Sequence, residues 1–358
     1  MKASAEQSTE TAFKLPECRR SMLVVTAAQL AKVRPSRAML DAVVDATRDH
    51  LLILLHADDV ETLALQPTEE HSWRTVQDAV AYAYVTALAA EQRAHRPWLT
   101  VTVTLDGWCG YAPGVEEPSW ERAFFSVSDS RAAEIVQSWN DQRQKAGLSL
   151  LEKQVLPEVA SAPFSTSTAV ATADGGQCSS AEATLVAAGQ KEEERYKHVA
   201  LGGTFDHLHA GHKILLTVAT WLTDDRIFCG VTDGGMLQGK QHPEYLESTE
   251  SRIAHVHSFL TTICRRRNYV VDRLYDPFGP TITDASIDAL VVSRETKRGG
   301  DAVQKERAAR GFPSLRVRVI DVVAAGRQSL CESEWTDLKL SSTQIRARLE
   351  REGAPRLG

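Results

Sequence analysis

The chain has 358 residues, of which 43% are hydrophobic and 25% charged, and its formal net charge is -6. At about 150 residues per domain this length suggests two domains, and the composition excludes a wholly disordered, collagen-like or coiled-coil chain. The acidic surplus gives no counterion-release drive toward nucleic acid, and no apolar run reaches the roughly 18 residues that a membrane helix needs. Cys18, Cys109, Cys178, Cys229, Cys264 and Cys331 are scattered without a CxxC pair, which reads as free thiols in a reducing compartment. Residues 1–20 hold Glu6, Glu10 and Glu17 and no apolar core, so neither a secretory signal nor a transit peptide is expected, and the location expected is cytoplasmic.

Leu51 to His56 is a short apolar run that predicts a buried strand. Asp58, Asp59 and Glu61 after it read as a polar strand-to-helix loop. Ser72 to His95 has helical apolar spacing and stops before Pro97. Leu99 to Leu105 alternates with period two, as a half-buried strand does, and Ser130 to Leu156 reads as helix. This N-terminal region, residues 1–156, is expected to be a smaller α/β or α+β domain, and it carries no nameable chemical motif.

Composition then shifts. Pro157 to Gln190 holds nine Ala and nine Ser or Thr in 34 residues, with no Lys or Arg. Such a stretch buries too little apolar surface to offset its ordering entropy, so residues 157–194 are expected to be a flexible linker ending in the solvated run from Lys191 to Arg195.

From residue 195 to 358, strands alternate with helices. Strands are predicted at Lys197 to Gly202, Arg226 to Thr232, Tyr269 to Tyr275, Asp288 to Ser293 and Leu315 to Asp321. Helices are predicted at Gly211 to Leu222, Glu247 to Arg267 and Asp301 to Arg310, with a last helix after Ser342. Alternation of this kind gives right-handed crossovers and a Rossmann-like parallel sheet, whose ligands sit beyond the carboxyl ends of the strands.

The first strand leads into Gly202-Gly203-Thr204-Phe205-Asp206-His207-Leu208-His209-Ala210-Gly211-His212-Lys213. Its glycines permit a tight turn, and a helix N-terminus with two imidazoles beside Gly211 suits a triphosphate. The spacing of His207, His209 and His212 is not the i, i+4 pattern of a helical zinc site, and no metal ligands are expected here. The second strand leads to Gly234-Gly235-Met236-Leu237-Gln238-Gly239-Lys240-Gln241. Gln241 stands where a P-loop needs Ser or Thr, so the segment is not a P-loop, yet Lys240 ends a loop on the ligand side. Asp276 to Thr281 reads either as a pocket lining or as a simple turn. Arg294 follows the fourth strand, where a bidentate phosphate clamp belongs. Arg265, Arg266 and Arg267 are expected to complement a helix dipole and face solvent. Ser341 or Ser342 is the N-cap candidate of the last helix.

Together, GGTFDHLHAGHK, Lys240, VVSRETKRGG and KLSSTQIR resemble the nucleotidyltransferase superfamily with the H-x-G-H signature. Within it they are most similar to the phosphopantetheine adenylyltransferases of eukaryotic and archaeal type. LYDPFGPT resembles their DP-[FY]-GP segment, which is shared with the adenylyltransferase domain of the bifunctional coenzyme A synthase of animals. The resemblance covers about Tyr196 to Leu349. It implies transfer of AMP from ATP, helped by Mg²⁺, to 4′-phosphopantetheine, giving dephospho-coenzyme A and pyrophosphate. By the same resemblance, Gly203, Thr204, Phe205, His209, His212, Ser341, Ser342 and Thr343 would hold ATP. Thr204, Lys240 and Arg294 would bind the second substrate, and His212, Lys240, Arg294 and His209 would serve catalysis. Small bacterial enzymes have Thr at the position of His209, and the eukaryotic type often has Asn near Gln304. With no P-loop after the domain, a monofunctional chain is expected. Other expectations are a different H-x-G-H nucleotidyltransferase, or a non-enzymatic scaffold for coenzyme A enzymes; the R-T-x-G-I-S-T-T signature of a cytidylyltransferase is missing. The expected partners are the two substrates and other enzymes of coenzyme A synthesis, with no nucleic acid and no membrane.

Overall fold

A computed structural model describes residues 15–158, 195–320 and 341–357. The expected linker, apart from its first two residues, lies outside them, as do Cys178 and Cys331. The other four cysteines are buried and unpaired.

The N-terminal half runs β1 (Cys18–Ala27), α1 (Arg37–Ala46), β2 (Thr47–Ala57), α2 (Val60–Leu65), α3 (Glu70–Arg93), β3 (Thr100–Leu105), α4 (Pro113–Glu116), β4 (Arg122–Ser126), α5 (Ser130–Lys145) and β5 (Glu152–Leu156). Its strands form a sheet in the order β3-β2-β1-β4-β5, with every pairing parallel. The expectation of a smaller α/β or α+β unit therefore resolves to α/β, and its sheet has five strands, as many as the other half's. The centre of β2, Leu51 to Leu55, is buried on both faces, as a central parallel strand must be. The helix expected over Ser130 to Leu156 is corrected. α5 ends at Lys145, Gly147 takes a left-handed φ of 68°, and Glu152–Leu156 pair with β4 as an edge strand.

The C-terminal half runs β6 (Tyr196–Gly203), α6 (Ala210–Leu222), β7 (Thr223–Thr232), α7 (Thr249–Ile263), β8 (Asn268–Leu274), β9 (Ala289–Ser293), α8 (Lys297–Ala309), β10 (Arg316–Ile320) and α9 (Ser342–Arg351). Its sheet order is β10-β9-β6-β7-β8, again all parallel. Counted from the first strand of each half, both sheets have the order 3-2-1-4-5. The helix expected from Glu247 to Arg267 is shorter. Ser248 caps it by accepting from Ser251 N at 3.1 Å, and it ends at Ile263.

The halves share one apolar core. It runs from Leu23 and Ile53 through Val80 and Tyr84 to Leu216 and Trp221. α3 is buried nearly all round because it packs on its own sheet on one side and on α6 on the other. Trp108 and Trp221 lie 5.3 Å apart, and Trp221 Nε1 donates to Ser72 Oγ at 3.2 Å. The last carbonyls of α7, which its own helix cannot satisfy, accept from the N-terminal half. Thr104 Oγ1 donates to Ile263 O at 2.8 Å, and the Tyr111 hydroxyl to Thr262 O at 2.7 Å. Arg265 is exposed, as expected, but it also reaches the N-terminal half. It pairs with Glu116 at 2.9 Å and Glu117 at 2.5 Å, and it stacks 3.7 Å from the Tyr111 ring centroid. Among the described residues no helix is long and apolar enough to cross a membrane.

Candidate active site

Three neighbouring strands deliver the site at their carboxyl ends. β6 is flanked by β7 and β9. The segment from Gly203 to His212 leaves β6, Lys240 lies beyond β7, and Arg294 starts the turn after β9. Arg294 is exposed, while His209, His212 and Lys240 are half-buried.

The turn after β6 is conformationally costly. Phe205 and His207 take φ of 49° and 44°, left-handed values that are unfavourable without glycine. Several contacts hold it. The Phe205 ring is buried, and a Cβ at Gly203 would come within 3.2 Å of it. His207 N donates to Glu247 Oε2 at 2.6 Å, and the His207 ring donates from Nε2 to Tyr245 O at 2.7 Å. Buried Arg252 donates to Thr204 O at 2.8 Å and Thr232 O at 2.9 Å, tying the ends of β6 and β7 together. Thr232 Oγ1 also donates to Thr204 Oγ1 at 3.2 Å.

His209 is the N-cap of α6, but its side chain makes no capping bond. The first intrahelical bond runs from Lys213 N to His209 O at 3.0 Å, so the amides of Ala210, Gly211 and His212 precede it with no partner inside the helix. The His209 and His212 rings stack with centroids 3.8 Å apart, and Phe205 meets His212 edge-on at 5.3 Å. The Nδ1 atoms of both histidines are buried without a partner among the described residues. Burial pushes the His209 imidazole down to about 4, with Lys213 and His207 adding to the shift. His212 is held well below the ordinary range by burial, then by His209 and Lys240. Both rings are therefore neutral near pH 7 and can donate hydrogen bonds without a positive charge of their own. Lys240 reaches close enough for its charge to act on His212, so these two candidates are brought together.

The N-terminus of α9 is the second element of the site. Ser341 is its cap and accepts from Gln344 N, while Gln344 Oε1 accepts from Ser341 N at 3.1 Å. Ser342 Oγ donates to Asp206 O at 2.8 Å, joining α9 to the β6 turn, and Thr343 Oγ1 accepts from Arg346 at 3.4 Å. Arg346 is buried, ion-paired with the buried Asp206 carboxylate, and donates to Gln241 O at 2.9 Å. Neither Arg252 nor the Asp206–Arg346 pair was singled out from sequence. Asp206 and Arg346 stood inside recognised motifs, but nothing in spacing links residues 140 apart.

Other candidates have structural duties. Asp276 Oδ1 accepts from Phe278 N and Gly279 N, which makes the DPFGP segment a turn. The Gln304 amide is saturated by both backbone groups of Leu315. Asp206, His207 and Glu247 bring ligand atoms within 4.8 Å of one another. Asp206 is engaged by Arg346 and Glu247 N, and Glu247 by His207 N and His255. With the His207 ring bonded to Tyr245 O, this donor set does not fit a divalent cation.

The depressed histidine values predict an acid-labile fold. Below pH 6.5 the unfolded chain takes up a proton that the native His209 ring refuses until about pH 4, and His212 acts in the same direction, so stability falls as pH falls through that window. The urea midpoint is expected to drop between pH 6.5 and 4.5, and to drop less steeply in His209→Gln. Equal slopes for the two proteins would overturn this.

A family model described as cytidylyltransferase-like matches residues 200–348. The chain is 47% identical over 150 residues to an uncharacterized protein of Schizosaccharomyces pombe, covering 42% of this chain and 47% of that one. It is 41% identical over 167 residues to the phosphopantetheine adenylyltransferase of Saccharomyces cerevisiae, covering 47% and 53%. It is 35% identical over 157 residues to the phosphopantetheine adenylyltransferase of Pyrococcus furiosus, covering 44% and 91%. The matched part thus spans about half the length of the two fungal relatives and nearly all of the archaeal one.

Proposed function

The chain belongs to the phosphopantetheine adenylyltransferase family, and from that premise we propose that it transfers AMP from ATP to 4′-phosphopantetheine, releasing dephospho-coenzyme A and pyrophosphate. The observation that carries this reading is the α6 N-terminus, with first-turn amides that have no partner inside the helix and two stacked, neutral imidazoles. Such a terminus takes phosphate oxygens through backbone N–H groups, and Gly211 keeps side chains out of their way.

In the proposed reaction a phosphate oxygen of 4′-phosphopantetheine attacks the α-phosphorus of ATP. The bond from that phosphorus to the bridging oxygen of the β-phosphate breaks, and pyrophosphate leaves. The nucleophile is already anionic, so no general base is required. Catalysis then rests on in-line positioning and on stabilising charge around the α-phosphate. His212 would donate to the α-phosphate in the transition state, and His209, Gly203, Thr204 and Phe205 would hold the ATP phosphates. Lys240 would bridge the phosphates of both substrates. Arg294 would take the phosphopantetheine phosphate, and Ser341, Ser342 and Thr343 the ATP tail. Mg²⁺ would enter as part of the ATP complex, and no protein ligand is assigned to it. The reading places the enzyme among soluble cytoplasmic proteins.

The test mixes the purified chain with ATP, Mg²⁺ and 4′-phosphopantetheine and follows pyrophosphate, with nicotinamide mononucleotide and phosphocholine as control acceptors. Release with 4′-phosphopantetheine alone is expected. Release with a control acceptor instead would point to another H-x-G-H nucleotidyltransferase, and no release with any would favour a scaffold.

A further inference from the structure

Immediately after His212, α6 presents a lysine to the N-terminal half. Lys213 Nζ donates to Val101 O of β3 at 2.7 Å and lies 6.0 Å from the Tyr84 ring centroid on α3. The Tyr84 hydroxyl is itself fixed, accepting from Val103 N at 3.0 Å. Lys213, Glu91 of α3, His209 and Ala210 line one recess of about 510 Å³. Burial pushes Glu91 up and Lys213 down, and each charge opposes the other's shift. His50 and His209 also feel the ammonium, and both are lowered by it.

A charge in such a place costs desolvation, and an apolar side chain would pack there at less expense. What the ammonium adds is direction, because the Val101 carbonyl can be satisfied from only one place. Lys213 N also makes the first bond of α6, to His209 O, so the position of Lys213 sets that of the H-A-G-H turn.

We propose that Lys213 is a positioning residue: by anchoring the start of α6 to Val101 and to the recess that it shares with Glu91, it makes the N-terminal half the template for the phosphate-binding turn. This rests on the reading of that turn as the nucleotide site, and it assigns residues 15–158 a part in the reaction through the position of the turn.

The test uses the full chain with Lys213→Met, Lys213→Arg and Glu91→Gln. Two readouts are taken at a temperature where each variant is folded: kcat and KM in the pyrophosphate assay, and hydrogen exchange of the amides of residues 207–213. Misplacing a reacting group by about 1 Å can cost about 10²-fold. Lys213→Met is accordingly expected to lower kcat about 10- to 10²-fold, leave the KM for 4′-phosphopantetheine within about twofold, and speed exchange in 207–213 selectively. Lys213→Arg, which keeps the charge, is expected to restore most of both. If Lys213→Met does not fold, Glu91→Gln carries the same two readouts. Unchanged kcat with unchanged exchange would overturn the proposal, as would a loss shared equally with KM or matched by global unfolding. If the wild-type chain transfers no AMP, the proposed function fails by itself, and hydrogen exchange alone decides on Lys213.

Discussion

Replacing His212 by alanine is expected to lower AMP transfer about 10²- to 10³-fold and to leave the fold standing. The magnitude is that of removing one preorganised donor from a developing oxyanion. Three features make His212 such a donor. Its ring cannot turn freely, being stacked on His209 and held edge-on by Phe205. It is neutral near pH 7, so it keeps one N–H to donate without burying a charge of its own. It also lies in the first turn of α6, beside amides that have no partner in the helix. The ring is half-exposed and makes no hydrogen bond that the fold depends on, so truncation leaves little to collapse. His212→Gln, which keeps an N–H donor on a floppier chain, should recover part of the rate. Steady-state pyrophosphate release with circular dichroism as the folding control decides the matter; a loss below about tenfold would remove His212 from the reacting phosphate.

The second large effect is on stability. Asp206→Asn keeps the shape of the side chain but leaves the buried Arg346 guanidinium without its counter-charge. Breaking one partner of a buried pair costs about 3–5 kcal/mol. The same substitution weakens the acceptor for Glu247 N, 2.9 Å away, which orders the strained Phe205–His207 turn. Urea denaturation should therefore show a loss of that size. Hydrogen exchange should show residues 342–351 released first, because what then ties α9 to the site is Ser342 Oγ to Asp206 O, Arg346 to Gln241 O and the half-exposed His242–Glu350 pair. A stability change under about 1 kcal/mol would mean that α9 is held mainly by apolar packing.

Much of the C-terminal half was legible because its signals are local. Each strand is a short run of Val, Ile and Leu, and each ligand-side loop carries a dense motif, so the strands fell within a few residues of β6 to β10. The N-terminal half was harder. β1 opens on Cys18-Arg19-Arg20 and β4 has only five residues, and the edge strand β5 has exposed Glu, Lys and Val, which reads as readily as the tail of α5. What remained hidden was long-range. Arg265 looks like any basic helix end until Glu116, Glu117 and Tyr111 arrive from the other half. Arg252 looks like a surface residue of α7, yet it is buried with its guanidinium on three backbone carbonyls. The site residues were readable as residue types at strand ends. Their holding network was not, since hydrogen bonds to main-chain carbonyls leave no trace in spacing.

The ion pair between Asp206 and Arg346 also orders events in time. Synthesis proceeds from the N-terminus, and domains fold as they emerge. The strands of residues 15–158 are all synthesised before Lys213, so α6 is made after the elements that it packs on. The turn that carries His209 and His212 then waits 140 residues for its last fastening. A nascent chain thus carries this turn without its Asp206–Arg346 fastening while 140 of its 358 residues are made, and the fastening comes only with α9.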